Sequence, residues 1–402
     1  MPTTPQPLPE TSARTLDTLA TPAVLIERRR LANNLARMQA KADAQGVRLR
    51  PHTKTHKSVA LARRQLEGGA RGLTVAKPAE AEVFVEAGFD DVRLAYTVVG
   101  EEKHARLLRL MDRARISFCV DTPEGARAAS EFYAARDRRA EALVEVDCGY
   151  GRCGVRWDRP ESVDFVRFVA SLPGLRLAGL LTHAGQSYYG PCEYETAEDA
   201  LRRVSAEERD RMLVFAAALR EAGVPGVTPE RFEISIGSTP SMRFFENRVH
   251  DGFRITEIRP GNYVFNDAMQ VGLASATLDD CALTVLATVI SKHRETSGQE
   301  RLFLDAGKKV FTSDLGYHTR GHGILLYNAR TMEPLPHARI TGLSEEHGWV
   351  RVPGGSTLSV GDRVRVTPNH ACVVVNTQDT LYLVDGDDVL EAWPVDARGR
   401  VQ

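Results

Sequence analysis

The sequence predicts an α/β protein in which a (β/α)8 barrel of the TIM type is followed by a C-terminal antiparallel β domain. Its 402 residues are more than one ordinary hydrophobic core accommodates, so two domains are expected. Short β-rich runs alternate with amphipathic helical runs as far as residue 258, which is typical of a parallel sheet covered by helices. After residue 270 the β-rich runs continue with little helix between them, which indicates antiparallel pairing.

The barrel prediction depends on the number and spacing of the strand candidates. Eight of them follow a first predicted helix at about residues 29–45, and amphipathic stretches such as 58–67, 78–87 and 198–222 separate them. Eight repeats within about 210 residues match the size of a closed barrel, and an open doubly wound sheet is the structural alternative. The strand candidates are 47–50, 72–76, 92–96, 116–120, 142–147, 175–182, 232–236 and 255–258.

The predicted β domain consists of short β-rich runs separated by glycine-containing or charged turns. A further strand near residues 23–27 precedes the barrel and could cross over to join this domain. The expected boundaries are a disordered leader over residues 1–20, the barrel over 21–268 and the β domain over 269–402. The β-rich runs are 281–291, 301–305, 338–343, 349–352, 363–367, 371–376 and 380–384.

Composition and charge exclude several classes of partner. The 52 lysines and arginines nearly balance the 53 aspartates and glutamates, so neither nucleic acid nor a membrane surface is expected as a partner. No apolar run reaches the roughly 18 residues of a membrane helix, and the leader lacks the features of a secretory signal. The six cysteines show no paired spacing, which favours a reducing compartment, and the cytoplasm is therefore expected.

A cationic octapeptide, Arg-Pro-His-Thr-Lys-Thr-His-Lys at residues 50–57, follows the first barrel strand. Pro51 disfavours helix in the residue before it, so Lys54 is expected just past the end of the strand. The neighbouring His52, His56 and Lys57 disfavour the ammonium form of Lys54, which makes its amine a nucleophile toward a carbonyl group. The alternative is a solvated basic loop that binds an anion.

Other distinctive residues follow later strands, at the carboxyl ends where barrel enzymes carry their active sites. Arg152 lies in a glycine-rich loop after the fifth strand, and His183, Gln186 and Tyr188 follow the sixth. Each has an ordinary alternative, because arginines most often form surface ion pairs. Their common position on one rim favours the functional interpretation.

The segments after the seventh and eighth strands indicate a phosphate site, which barrels often carry there. Glycine followed by two hydroxyl residues lets backbone amides and side-chain donors approach a phosphate closely. The alternative is a turn with a helix cap. The residues concerned are Gly237, Ser238 and Thr239 after the seventh strand, and Arg259, Gly261, Asn262 and Tyr263 after the eighth.

A second cluster, Pro-Asn-His-Ala-Cys at residues 368–372, lies in the β domain. In a strand, residues two apart point to the same face, so His370 and Cys372 could share one metal ion. Imidazole with thiolate suits zinc, and two protein ligands leave positions open for water and substrate. The alternative is a buried cysteine beside a turn histidine. His347 is a further polar candidate in this domain.

Together these motifs resemble the fold-type III pyridoxal-phosphate (PLP) enzymes, the alanine racemase superfamily, and within it the D-serine dehydratase and D-threonine aldolase branch. The likeness covers nearly everything after residue 20. Its most specific parts are the motif at 50–56, Ile-Gly-Ser-Thr-Pro at 236–240, Arg-Pro-Gly-Asn-Tyr at 259–263, Ser-Glu-Glu-His-Gly at 344–348 and Pro-Asn-His-Ala-Cys at 368–372.

The resemblance implies a role for each matching residue. Lys54 matches the lysine that holds PLP as a Schiff base, and His370 and Cys372 match the metal ligands of the dehydratases, with zinc expected and manganese as an alternative. D-threonine aldolases resemble this region but typically carry aspartate where Cys372 stands, which favours a dehydratase. The resemblance implies cofactor or substrate contacts for Arg152, His183, Gln186, Tyr188 and Arg259, and phosphate contacts for Gly237, Ser238, Thr239, Gly261, Asn262 and Tyr263.

The resemblance therefore implies a lyase that converts a D-3-hydroxy amino acid to a 2-oxo acid and ammonia. The freed Lys54 amine is expected to take the α-proton, with His183 and Tyr188 as further catalytic candidates. Aldol cleavage to glycine and an aldehyde is the principal alternative, and amino-acid racemisation with Tyr188 or Tyr317 as second acid, or a non-catalytic PLP carrier, also stay open. A homodimer is expected from the family alone.

Overall fold

The computed structural model describes residues 15–326, 331–335 and 337–402. The chain divides into two compact units. The barrel unit comprises Arg37–Lys54, Ala62–Gly261 and Arg400–Gln402, and the β unit comprises Met1–Ala36, Thr55–Leu61 and Asn262–Gly399. The predicted leader lies mostly outside the described residues. Its last part is folded, since Leu16 and Leu19 are buried in a cluster with Leu286 and Val389 of the β unit.

The barrel unit contains the parallel sheet that the sequence predicts. Each predicted strand is present within a few residues, and a short additional strand, β7 (Val155–Arg156), pairs with β6. Among the described residues the strands of the ring are β2 (Arg48–Leu49), β3 (Leu73–Val75), β4 (Asp91–Thr97), β5 (Arg115–Val120), β6 (Ala140–Asp147), β8 (Leu175–Thr182), β9 (Glu233–Ile236) and β10 (Glu257–Ile258), in the order β2-β10-β9-β8-β6-β5-β4-β3.

Backbone hydrogen bonds close this sheet into a ring. The amide of Arg71 donates to the Leu49 carbonyl at 2.7 Å, and that of Thr74 donates to the Pro51 carbonyl at 2.9 Å. These bonds join the two ends of the strand order, so the sheet is a closed barrel rather than an open doubly wound sheet. All carboxyl ends of its strands consequently lie on one rim.

Helices between the strands have the starts that the sequence indicates. Proline at the first position opens α3, α5 and α6, and Thr196 with Asp199 forms a capping box at the start of α7. The helices are α1 (Arg28–Ala44), α2 (Val59–Glu67), α3 (Pro78–Glu86), α4 (Glu101–Leu110), α5 (Pro123–Ala134), α6 (Pro160–Ser171), α7 (Ala197–Glu221), α8 (Ala268–Gly272), α9 (Lys308–Phe311) and α10 (Ala371–Asn376). None of the helices in the described part of the chain is long and apolar enough to cross a membrane.

A network of buried ion pairs joins four strands or strand ends of the barrel unit. Arg93 donates to both carboxylate oxygens of Glu233, at 2.8 and 2.9 Å, and also to Glu257. Arg50 donates to Glu257 at 2.7 Å and to Asp91 at the barrel surface. Burial alone would raise the pKa of Glu257, but Arg50 and Arg93 hold this pKa well below its usual value.

The β unit contains a mixed sheet rather than the purely antiparallel one predicted. The strand β1 (Ala23–Glu27) joins it, pairing antiparallel with β11 (Leu283–Arg294) and parallel with β17 (Thr380–Asp385). Among the described residues, β1 and β17 form the one parallel pair of this sheet. Within the described residues the other strands are β11 (Leu283–Arg294), β12 (Glu300–Leu304), β13 (Ile324–Leu326), β14 (Arg339–Leu343), β15 (Gly348–Val352), β16 (Arg363–Thr367), β17 (Thr380–Asp385) and β18 (Asp388–Pro394).

One predicted strand of the β unit is wrong. Residues 371–376, Ala-Cys-Val-Val-Val-Asn, form helix α10, with His370 at the N-cap position. Three β-branched valines favour a strand, but the start of this segment is held as a helix because the Ala371 amide donates to the buried carboxylate of Asp267 at 2.9 Å. A contact distant in sequence therefore overrides local preference.

Candidate functional site

Lys54 lies in a 3₁₀ turn, Thr53–Thr55, directly after β2 at the carboxyl rim of the barrel. The turn is anchored to its neighbours on both sides. The His52 amide donates to the Pro260 carbonyl at 3.1 Å, and the Thr53 hydroxyl donates to the Thr74 carbonyl at 3.0 Å. The Lys54 backbone is therefore fixed, while its side chain is only partly buried.

His183 lies on the same rim, immediately after β8. Its Nδ1 atom is 3.4 Å from the Gly237 carbonyl oxygen. Burial, together with the positive charges of Lys54 and Arg152, holds the pKa of His183 well below its usual value. Both effects favour the neutral form of the imidazole. Since the charge of Lys54 acts on this ring, the two predicted catalytic side chains lie within electrostatic range of each other.

The loops after β8 and β9 are joined by hydroxyl groups. The hydroxyls of Ser187 and Ser238 are 2.8 Å apart, and the Ser187 hydroxyl also donates to the Ala184 carbonyl at 2.7 Å. Ser238 and Thr239 are buried, and Tyr188 is partly buried at the end of the 3₁₀ turn Gly185–Tyr188. Gly237 has φ of +125°, a conformation that side chains rarely adopt.

Glu208 on α7 is a residue of this region that the sequence analysis missed. Its Oε1 atom accepts hydrogen bonds from the amides of Gly237 and Ala184, and its Oε2 atom accepts one from the Ser241 hydroxyl. Burial raises the pKa of Glu208, although these bonds oppose the rise. The available signal was a glutamate four residues from both Val204 and Met212, inside the apolar stripe of the helix.

Arg259 is buried beneath the rim rather than paired at the surface. Its Nη1 atom donates to the Ser235 hydroxyl at 2.5 Å, and Nη2 donates to the Thr182 carbonyl. Ser235 in turn donates to Glu257 at 2.6 Å, so Arg259 is linked to the ion network below. Burial lowers the pKa of Arg259.

Arg152 and Gln186 lie on the remaining side of the rim. Arg152 is half-exposed, with Nη2 at 3.4 Å from Glu145, and Gln186 donates to the Cys148 carbonyl at 3.2 Å. Tyr150, which was not singled out as a site residue, packs edge-on against the His183 ring with centroids 6.0 Å apart. Its neighbour Gly185 leaves room for this ring, because a Cβ atom at Gly185 would lie 2.2 Å from it.

In the β unit, Asn262 and Tyr263 are buried in a 3₁₀ turn, and Gly261, the last residue of the adjoining barrel segment, is buried as well. The side-chain Nδ2 atom of Asn262 donates to Asp267 Oδ2 at 2.6 Å, while the Oδ1 atom of Asn262 has no partner among the described residues. Asp267 also accepts from the amides of Gln270 and Ala371. One buried carboxylate therefore organises this turn and the start of α10.

His370 and Cys372 meet at the N-terminus of α10. The strand-spacing argument for their proximity is wrong, because a helical first turn brings them together. Burial by itself would lower the pKa of His370. The charge of Cys372, a hydrogen bond between His370 and Cys372, the charge of Asp267 and a hydrogen bond with Asp314 together raise this pKa to about 10. The Nδ1 atom of His370 lies 2.7 Å from Asp314 Oδ2, and Cys372 Sγ is 3.3 Å from the Thr55 hydroxyl.

No group of three or more histidine, cysteine, aspartate or glutamate side chains within the described residues is arranged to hold a metal. His347 is exposed, so it is not part of a buried ligand set. The pair of His370 and Cys372 nevertheless fits a divalent ion by donor chemistry, because a thiolate and an imidazole are zinc ligands. Since Asp314 contacts Nδ1, a metal held by His370 would be bound through Nε2.

The rim residues also fit a phosphorylated aldehyde cofactor. Two buried polar atoms, Gln186 Oε1 and Arg259 Nε, have no hydrogen-bond partner in the described part of the chain. A Cβ atom at Gly237 would lie 3.0 Å from the Arg259 amide nitrogen, so glycine leaves the space in this turn that a larger residue would fill. A primary amine, a hydroxyl-lined turn and orphaned polar atoms are therefore present on one rim.

Comparison with known families matches both parts of the chain. The family model described as "Alanine racemase, N-terminal domain" matches residues 26–268. The model described as "Putative serine dehydratase domain" matches residues 282–384.

Several curated proteins resemble the chain over nearly its whole length. D-threo-3-hydroxyaspartate dehydratase of Delftia sp. (strain HT23) is 35% identical over 391 residues, covering 94% of this chain and 98% of that protein. D-threonine aldolase of Arthrobacter sp. is 33% identical, covering 94% and 93%. D-serine dehydratase of Dictyostelium discoideum is 27% identical, covering 93% and 95%.

A solved structure shares the fold. A cysteine-to-alanine mutant of D-threo-3-hydroxyaspartate dehydratase, described as "in the metal-free form", superposes with a TM-score of 0.83 at 33% sequence identity. The match covers 94% of this chain and 98% of that one.

Proposed function

Since the chain belongs to the fold-type III PLP enzymes, in the D-serine dehydratase and D-threonine aldolase branch, we propose that it dehydrates D-3-hydroxy amino acids to 2-oxo acids and ammonia. The observation that carries the proposal is the full-length similarity to a dehydratase, 35% identical over 391 residues. Cys372 beside His370 supports it, because the D-threonine aldolases that this region resembles typically carry aspartate in place of that cysteine.

Each residue predicted to contact the cofactor or substrate has a role in this proposal. PLP, when bound, withdraws electrons from the α-carbon of an amino acid. Lys54 Nζ would hold the cofactor, and its amine would take the α-proton of the substrate. His183, neutral because its pKa is depressed, receives or returns a proton at its ring, with Tyr188 as a second candidate. Gly237, Ser238, Thr239, Gly261, Asn262 and Tyr263 bind the phosphate, and Arg152, Gln186 and Arg259 orient the cofactor ring or substrate.

The β unit contributes the metal ligands in this proposal. A divalent metal supplies Lewis acidity toward a hydroxyl leaving group. His370 Nε2 and Cys372 Sγ would hold it, and Asp314 would orient the imidazole through Nδ1. The similarity to a dehydratase whose mutant has a metal-free form supports a metal here. Zinc suits the thiolate and imidazole donors, with manganese as the alternative.

The cytoplasm and a homodimer belong to the same proposal. Six free cysteines, three of them fully buried, support a reducing compartment. The dimer is supported by the family resemblance only, and light scattering of the purified protein at several concentrations tests it. A mass equal to one chain at every concentration would contradict it. We expect neither nucleic acid nor membrane as a partner.

The experiment that tests the function is a product assay with D-serine, D-threonine and 3-hydroxy-D-aspartate, with and without a chelator. We expect a 2-oxo acid and ammonia from at least one substrate, and their loss on chelation with recovery on adding zinc or manganese. The wild type should also absorb in the visible, and Lys54→Ala should lose that band. A colourless wild type would contradict the cofactor assignment.

Aldol cleavage is the second candidate, because D-threonine aldolase is 33% identical over 94% of the chain. The same assay distinguishes the two reactions. Glycine and acetaldehyde appearing from D-threonine faster than any 2-oxo acid forms would replace the dehydratase assignment with an aldolase.

A further inference from the structure

One buried carboxylate holds the two barrel loops that carry His183 and Ser238. The Glu208 side chain is fully buried. Its Oε1 atom accepts hydrogen bonds from the Gly237 amide at 2.8 Å and the Ala184 amide at 3.2 Å. Three donors therefore converge on this carboxylate, because the Ser241 hydroxyl also donates to Oε2 at 2.8 Å.

Ser241 transmits the position of Glu208 to Ser238. The Ser241 Oγ atom accepts hydrogen bonds from the Ser238 amide at 3.2 Å and the Ser238 hydroxyl at 3.0 Å. The Ser238 hydroxyl is also 2.8 Å from that of Ser187 in the other loop. The conformation of Ser238 thus depends on a short chain of bonds that begins at Glu208.

Burial of a glutamate side chain at this position is unfavourable unless hydrogen bonds to its carboxylate offset the loss of hydration. Glu208 stands in the apolar stripe of α7, where the charge of Arg259 acts on it but the described residues form no ion pair with it. Transfer of a carboxylate into such a site is unfavourable, and an apolar residue would pack there without that cost. The hydrogen bonds that offset the cost all go to the loops after β8 and β9.

We propose that Glu208 is a positioning residue for the cofactor phosphate: it fixes the turn of Gly237 and Ser238 without touching the cofactor. The inference rests on the proposed function, since it assumes that this turn grips the phosphate of PLP. It assigns to α7 a role in phosphate selection that acts entirely through Gly237 and Ser241.

Two aldehydes that differ only in the phosphate provide the test. The full-length protein, stripped of cofactor, is titrated with PLP and with pyridoxal, and binding is followed by visible absorption. In Glu208→Ala we expect PLP affinity to fall at least about tenfold, as the loss of buried hydrogen bonds implies. Pyridoxal affinity should stay within about twofold of wild type.

Matched variants separate geometry from charge. Glu208→Gln keeps an oxygen that accepts from both amides but places an NH2 group against the Ser241 hydroxyl, so we expect a loss of PLP affinity smaller than that of Glu208→Ala. Glu207→Gln alters the preceding residue of the same helix, which instead pairs with Arg211 at 3.3 Å, and should leave the preference for PLP unchanged. Ser241→Ala removes the hydroxyl that bonds both Glu208 Oε2 and Ser238, leaves the two amide bonds to Glu208 Oε1 in place, and should reproduce the phosphate-specific loss.

The outcomes are distinguishable. Equal loss of affinity for both aldehydes in Glu208→Ala would indicate a general structural role and overturn the inference. Should that variant fail to fold, Ser241→Ala decides in the same way. If the variants keep the wild-type preference for PLP, the inference fails while the proposed function stands. A wild type that binds neither aldehyde overturns both.

Discussion

The buried carboxylate of Asp267 accepts a hydrogen bond from the Ala371 amide at 2.9 Å. Ala371 is the first residue of α10, so this bond fixes the point at which the chain turns into a helix between His370 and Cys372. The same carboxylate caps α8 through the Gln270 amide at 3.1 Å. The geometry of the candidate metal ligands therefore depends on a residue about 100 positions earlier.

Asp267→Asn is expected to lower both metal content and stability. Both oxygens of Asp267 accept hydrogen bonds, so the NH2 group of an asparagine would face a donor whichever oxygen it replaced. The buried donors left without an acceptor cost about 1–3 kcal/mol. Metal per chain measured by mass spectrometry, together with urea unfolding, checks this. Asp279→Asn, at an exposed position, is the control. Full metal content and wild-type stability in Asp267→Asn would contradict the assignment.

Glu257→Gln should strongly destabilise the barrel unit. It removes the charge shared by Arg50 and Arg93, and breaking a buried ion pair by removing one partner costs about 3–5 kcal/mol. Chemical unfolding measures the change. Asp158→Asn, which breaks the exposed pair with Arg156, should leave stability nearly unchanged. Similar effects of the two variants would refute the role of the network.

His104 should make the protein sensitive to acid. Burial among Phe118, Phe132 and Tyr133, only partly opposed by the Val98 backbone, lowers the pKa of His104 to about 4. The histidine of the unfolded chain has a pKa of about 6.5 and therefore binds a proton more readily than His104 does in the folded protein. The contribution of His104 to stability is therefore fully present above about pH 6.5. It is lost as pH falls from about 6.5 to 4, by at most about 3 kcal/mol.

The measurement for His104 is the free energy of unfolding between pH 7.5 and 4. His104→Phe keeps an aromatic ring but cannot take up a proton, so its stability should fall less steeply in this range. The control is His250→Gln, whose side chain is exposed before and after unfolding. An acid slope that is unchanged in His104→Phe would show that other groups cause it.

Gly185→Ala should impair turnover by displacing Tyr150. The new Cβ atom would lie 2.2 Å from the Tyr150 ring, which packs against His183. We expect kcat/KM for 2-oxo acid formation to fall at least about tenfold, with a stability loss of about 1–3 kcal/mol from overpacking. In a Tyr150→Ala background the same substitution should cost little further stability, because the clash is gone. Additive losses in that double variant would contradict the explanation.

Much of the barrel could be predicted because its signals are local. Each buried parallel strand is a short apolar run before a polar loop, and the repeat count alone distinguishes a barrel-sized domain. Lys54, His183 and Arg259 were found because each follows such a strand. The helix at 371–376 was missed because its valines favour a strand, whereas the Asp267 bond that starts the helix is invisible in a local window.

Glu208 is a residue of the candidate site that could not be predicted from the sequence. In the run Glu207, Glu208, Arg209 nothing in composition separates a surface glutamate from one that holds two loops. Only its phase within the apolar stripe of α7 indicates burial, and its partners Ala184, Gly237 and Ser241 lie 24 to 33 residues away.

The sequence by itself determined the order of strands and helices, the rim on which the reactive residues lie and the family to which the chain belongs, because these depend on periodicity and short motifs. The tertiary structure alone decided which carboxylates are buried, what they bind and that His370 and Cys372 meet on a helix. The physical reason is that hydrogen bonds to buried groups join residues far apart in the chain, and their strength outweighs the small local preferences that a sequence displays.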